Sequence, residues 1–203
     1  STGIDHYPTA FVQPDWGNLE LRAPTITFDT RMDLWAGDTV VELHTMVGVA
    51  HTTNDIVAWL PAEGVLYTGD LVFHGGTPFV LMGSVQGSID SLEVLRGFGA
   101  DTIVPGHGKV TGPQVFDDIE RYLSMILDVA GAARAAGKTP LEAANDVDLG
   151  EFASLTDGER LVGNLHRCMA ELEGPEANAE MSIAAAISDM VAFHGGPLLP
   201  CNA

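Results

Sequence analysis

Short β-type runs follow one another in the first half of the chain. Thr25-Ile26-Thr27-Phe28 and Thr39-Val40-Val41-Glu42-Leu43-His44 alternate in polarity. Ile56-Val57-Ala58-Trp59-Leu60, Val65-Leu66-Tyr67-Thr68 and Thr102-Ile103-Val104 are further apolar runs of strand length. Turn signals separate them at Ala36-Gly37-Asp38, Pro61-Ala62-Glu63-Gly64 and Gly106 to Gly108. Between the last two runs, Ile89, Leu92, Val94 and Leu95 give 88–98 a helical period. From Phe116 to Ala136 the period is helical again, with Ile119, Tyr122, Leu123, Ile126, Leu127 and Ala130. Thr139-Pro140-Leu141-Glu142 reads as a capping box with Pro at the first helical position. Two more helices are predicted over 158–172 and 177–193. Residues 1–24, with Pro8, Pro14 and Pro24, read as loop. The expectation is an α/β domain over 1–113, continued by a helical region over 114–203 that packs on it.

Composition narrows the class. Hydrophobic residues make up 46% and charged residues 18%, as in a folded protein. No apolar run approaches the roughly 18 residues needed to cross a bilayer. Nine basic residues against 28 acidic ones give a net charge of −19, a field that repels phosphate backbones and anionic lipid. Neither a nucleic acid nor a membrane is therefore an expected partner. The two cysteines, Cys168 and Cys201, form no metal-binding pair and no disulfide framework. Together with the absence of a visible leader, this predicts a cytoplasmic location.

Three segments carry chemistry. In each, an apolar run enters a small-residue turn with one metal-binding side chain: Val47-Gly48-Val49-Ala50-His51-Thr52, Val65-Leu66-Tyr67-Thr68-Gly69-Asp70 and Ile103-Val104-Pro105-Gly106-His107-Gly108. A ligand at a strand end is anchored by the sheet, and glycine beside it permits close approach. Two imidazoles and a carboxylate suit zinc, or iron or manganese in its place. Asp55, four residues after His51, either orients that ring or caps the loop. The loop from Leu71 to Ser84 holds Phe73, His74, Phe79 and Met82 around Gly75-Gly76 and Gly83. It forms either an apolar wall for a substrate or a packed loop, with His74 the foremost candidate for a substrate contact.

The ordered trio resembles the metallo-β-lactamase superfamily. The resemblance implies the C-terminal half of an αββα sandwich, followed by a helical extension. It also implies zinc ligation by His51, Asp70 and His107. His51 would serve one ion and His107 a second, with Asp70 bridging them and acting as the catalytic carboxylate. A zinc-bound hydroxide would attack an ester, thioester or lactone. The family's His-x-His-x-Asp-His string is absent from this chain. Three explanations follow: the first half lies on a preceding segment or another chain, a single ion binds, or the protein is a degenerate binding domain. The first is favoured, because a half-sheet alone would expose an apolar face. A small acyl substrate and the complementing half are thus the expected partners, and a homodimer is compatible.

A finer resemblance is to zinc-dependent second-ring cyclases of aromatic polyketide synthesis, which also release thioesters. It rests on Asp15-Trp16-Gly17, Leu19-Glu20-Leu21, Gly75-Gly76-Thr77-Pro78-Phe79, Gly83-Ser84-Val85 and the helix from Arg160 to Arg167. His44 and His166 fall in strand and helix patterns and read as structural.

Overall fold

The chain turns back on itself at Gly37, which takes the left-handed φ of +64° that closes the first hairpin. The computed structural model describes residues 20, 22–174, 181–196 and 199. Strands β1 (Arg31–Ala36), β2 (Thr39–Thr45), β3 (Ile56–Leu60) and β4 (Val65–His74) form an antiparallel meander. Helix α1 (Val85–Gly97) then carries the chain to β5 (Thr102–Gly108), which lies parallel to β4. A parallel neighbour requires such a crossover. The sheet order is β1-β2-β3-β4-β5. Helices α2 (Val115–Ala135), α3 (Pro140–Asp146), α4 (Arg160–Glu173) and α5 (Ile183–His194) follow, with a 3-10 turn over Gly150–Ser154.

Local signals explain most boundaries. Ser84 caps α1 by accepting from the Gly87 N–H, and Ser182 caps α5 by accepting from Ala185. Thr139 and Glu142 form the reciprocal capping box of α3. The expected strand at Thr25–Phe28 is absent. Arg31–Ala36 forms the strand instead, because Gly37 pairs it with β2 in the register Leu34↔Val41 and Met32↔Leu43. Its charged members hid the alternation, and Arg31 is in fact held by Asp33 and Glu42. In the stretch 177–193, residues 177–180 lie outside the described ones and the helix begins at Ile183. Cys168 is buried in the core, as expected, and burial pushes its thiol up to about 12. Cys201 and residues 1–19, with Asp15 to Leu19, lie outside the described residues.

The two faces of the sheet differ. Directly paired residues share a face. Val57, Leu66 and Ile103 point to the helical layer and are fully buried among Leu92, Leu95, Phe116, Leu123 and Ile126. On that face Phe98 meets His44 edge-on at 5.1 Å and Trp59 at 5.8 Å, so His44 is structural, paired also with Glu42. The opposite face carries Leu34, Val41, Leu43, Ala58 and Tyr67 in register. It is apolar yet open: Leu34 is 43% exposed and Tyr67 46%.

Segment 77–81 runs outside the sheet, so its backbone needs other partners. Helix α4 supplies them from one face at positions 160, 164 and 167. Arg160 donates to the Thr77 carbonyl at 3.1 Å, and Asn164 donates to Pro78 at 2.7 Å and accepts from the Val80 N–H at 2.9 Å. Arg167 donates twice to the Leu81 carbonyl, at 2.9 and 2.7 Å. Asn164 is wholly buried, and it also donates to the Tyr122 hydroxyl at 3.2 Å. Asn164→Ala leaves a buried N–H and carbonyl unpaired, which costs about 3 kcal/mol. Urea unfolding should show that loss, with faster hydrogen exchange at the Val80 amide.

Candidate metal centre

Asp70 lies where the β4–β5 ladder breaks. Gly69 pairs with Pro105 and Phe73 with His107, so four steps along β4 match two along β5. The surplus residues bulge, and Asp70 is among them. Pro105 has no N–H to donate and suits such an interruption. Bulges of this kind re-aim side chains beside functional sites. Gly106 lies directly against Asp70: a Cβ at that position would overlap the carboxylate Oδ1 and the Gly69 backbone. A glycine is required there by close approach.

His51 comes from the loop between β2 and β3. Two contacts fix that loop. The Ser84 N–H donates to the Ala50 carbonyl at 2.8 Å, and Gly83 sits against the carbonyls of Ala50 and His51 so closely that a Cβ would collide with both. Asp55 accepts from the Thr52 N–H at 3.0 and 3.1 Å and from the Thr52 hydroxyl at 2.7 Å. Of its two anticipated roles it therefore caps the loop, and it gives no hydrogen bond to His51.

The three anticipated ligands converge. His51 Nε2 lies 3.5 Å from Asp70 Oδ2, and His107 Nε2 lies 3.5 Å from Asp70 Oδ1. Each ring thus faces a different oxygen of one carboxylate. Both separations exceed the 2.7–2.9 Å of a charge-assisted hydrogen bond. The His51 Nδ1 is buried with no partner, a costly state for a ring nitrogen. Among the described residues, no group of three or more His, Cys, Asp or Glu side chains closes around a single ion. Two imidazoles and a carboxylate are a donor set that suits zinc, and these three side chains would need further ligands to close a site.

The ring of His107 is held from beneath. Phe73 stacks on it at 4.8 Å with the planes 7° apart, and the Arg160 guanidinium lies over Phe73 at 5.4 Å. Arg160 is itself buried and paired with Asp157 at 3.0 Å. Phe73, expected to meet substrate, is 5% exposed and serves chiefly as this support. Phe79 is not brought to the ligands. It packs inside the helical layer against Gly163, with Arg160 over it at 5.7 Å. Met82 is 45% exposed on the loop. His74 holds its Nδ1 on the Lys109 carbonyl at 2.8 Å and borders a cavity of about 290 Å³. His166 pairs with Asp189 at 2.8 Å, far from ligand chemistry and consistent with a structural role. Arg160 escaped the sequence reading. Its signal was a guanidinium followed by an apolar helix pattern, which reads equally well as a solvated first turn.

A family model described as the metallo-beta-lactamase superfamily matches residues 20–107. No curated protein matches the chain. Among solved structures, a metallo-beta-lactamase from Pontibacter korlensis is 21% identical over 51% of this chain and 50% of its own, with a TM-score of 0.47. The DIM-1 metallo-beta-lactamase is 20% identical over 48% of this chain and 46% of its own, with a TM-score of 0.42. The chain spans about half the length of these structures.

Gly106→Ala should displace Asp70 and weaken zinc uptake roughly tenfold or more in calorimetric titration. Gly97→Ala, where a Cβ meets nothing within 4 Å, is the matched control and should leave uptake unchanged. Equal affinities for the two variants would show that the close approach at Gly106 is irrelevant to the site.

Proposed function

We propose that the chain, whose residues 20–107 match the model of the metallo-β-lactamase superfamily, a family of generally hydrolytic metalloenzymes, forms half of a metal-dependent hydrolase acting on an ester, thioester or lactone. The observation that carries the reading is the facing of His51 and His107 toward separate oxygens of Asp70. His51, Asp70 and His107 would hold two zinc ions, with iron or manganese as substitutes. Bound there, the metal would supply Lewis acidity to the acyl carbonyl and a nucleophile at neutral pH.

The chain's own residues prepare this chemistry. Asp70 presents both oxygens because Gly106 lets the neighbouring strand approach it. Phe73 fixes the plane of His107, and Gly83 and Ser84 fix the loop that aims His51. The net charge of −19 disfavours polyanionic substrates and favours a neutral acyl group.

The open face of the sheet is the place we assign to the complementing half of the domain, which would also bring the remaining ligands. Its support is the registered apolar set of Leu34, Val41, Leu43, Ala58 and Tyr67. Among the described residues no helix is long and apolar enough to cross a membrane, and a cytoplasmic setting is part of the same reading. The apolar cavity beside His74 favours a second reading, a polyketide cyclase/thioesterase, whose cyclised products would distinguish it from a simple hydrolase.

In protein purified with its complementing half, plasma mass spectrometry should find two zinc ions per site. Asp70→Ala should remove at least one of them and abolish thioester hydrolysis. Hydrolysis that survives Asp70→Ala overturns the mechanism. Leu34→Lys with Tyr67→Lys should separate the two halves in light scattering after size exclusion, while the exposed positions tolerate the change in thermal stability. Unchanged association would remove the open face as the docking surface.

A further inference from the structure

The cavity bordered by His74 is outside the metal ligands, yet it shares a wall with them. Phe73 both stacks on His107 and lines the cavity. Val115, Ile119 and Tyr122 of α2 form the floor, and Phe152 of the 3-10 turn and Leu155 just after it close it. Val115, Ile119 and Tyr122 are at most 3% exposed, so the floor is built into the core and not improvised by loose surface chains. At about 290 Å³ the space falls just below the range of sites that take a whole drug-sized ligand. It admits one ring system or a short chain, with the rest of the molecule outside.

Charge at the mouth selects what enters. Arg121 donates to Asp118 at 2.8 Å and to Glu151 at 3.2 and 3.4 Å. Its guanidinium is thereby occupied, and the three groups together leave one negative charge at the rim. An anionic substituent meets no free cation there. His74, with Nδ1 on the Lys109 carbonyl, has Nε2 left for a polar substituent at the edge.

The geometry points to this cavity as the subsite for an uncharged aromatic or aliphatic portion of the acyl substrate, seated on Val115, Ile119 and Tyr122 beside the edge of Phe73, with the scissile carbonyl on the His107 side. The assignment of the occupant as acyl substrate rests on the hydrolase reading above. Binding to the cavity does not, and can be read without metal.

The probe is 2-naphthol, with naphthalene-2-sulfonate as its charged counterpart, titrated into the metal-free protein with its complementing half present and with labelled Ile, Leu and Val methyls in this chain. The expected result is shifts confined to Val115, Ile119 and Leu155, with the sulfonate at least roughly tenfold weaker. Leu155→Trp should fill the space and cancel the shifts, while the methyl signals of Ile126 and Leu66 report that the fold is kept. No shifts at the three methyls, or a sulfonate that binds equally well, overturns the proposal. That comparison in the unmodified chain stands even where Leu155→Trp fails to fold. With metal and the complementing half present, the rate ratio of 2-naphthoyl to acetyl thioesters should fall in Leu155→Trp. An unchanged ratio removes the cavity as the acyl subsite. Absence of turnover on every ester, with 2-naphthol still bound, counts instead against the hydrolase reading.

Discussion

Two of the three candidate ligands, His51 and His107, depend on one face of helix α4. Arg160, Asn164 and Arg167 bond the backbone of residues 77–81, which has no strand to pair with. That segment delivers Gly83 and Ser84 against the His51 loop. The same Arg160 lies over Phe73, and Phe73 supports His107. The helix that holds them lies more than eighty residues beyond the segment it bonds. Buried polar side chains of this kind are stabilising only when fully satisfied, and here their partners are backbone carbonyls that would otherwise be orphaned. The helical C-terminal region therefore supports the site and is not an appendage to it.

The electrostatics at Asp70 follow from the same arrangement. Two imidazoles face one carboxylate at distances too long for strong hydrogen bonds, and one ring nitrogen is buried without a partner. Folding has paid for this geometry elsewhere, in the core packing of Leu66, Ile103 and the helical layer. A protein stabilised by ordinary means would have closed those gaps. Their persistence is what makes the trio a candidate for cations and not for a structural ion pair.

Much of this was legible in the residues. The trio His51, Asp70 and His107 stood out because each follows an apolar strand and a small-residue turn, and those are local patterns. Strands β2 and β3, the starts of β4 and β5 and the helix over 115–135 were readable by period, and the capping box at Thr139 appears as its residues suggest. Strands β4 and β5 run on to His74 and Gly108, so Leu71 to His74 belong to a strand and not to the expected loop. Strand β1 was missed because Arg31 and Asp33 mask its alternation, whereas the pairing that defines it comes from β2. Phe79 was misplaced because an aromatic in a loop looks the same whether it faces a pocket or a helix. The role of Asp55 was undecidable between two local options until Thr52 was seen to take both its oxygens. The role of Arg160 was not legible, since apart from Asp157 the groups it holds lie more than eighty residues away and no spacing rule reaches that far.

The bulge at Asp70 also divides the sheet mechanically. On one side of it, β4 is zipped to β3 and β5 by regular pairing from Val65 to Tyr67. On the other, Phe73 and His74 meet only His107 and Gly108, and their further restraint comes from the helices. The strand behaves as two girders joined by a hinge pin, with the carboxylate mounted on the pin. Between Gly69 and Phe73 no residue of β4 pairs with β5, so the His107 ring takes its alignment from Phe73 and Arg160 rather than from the outer strands.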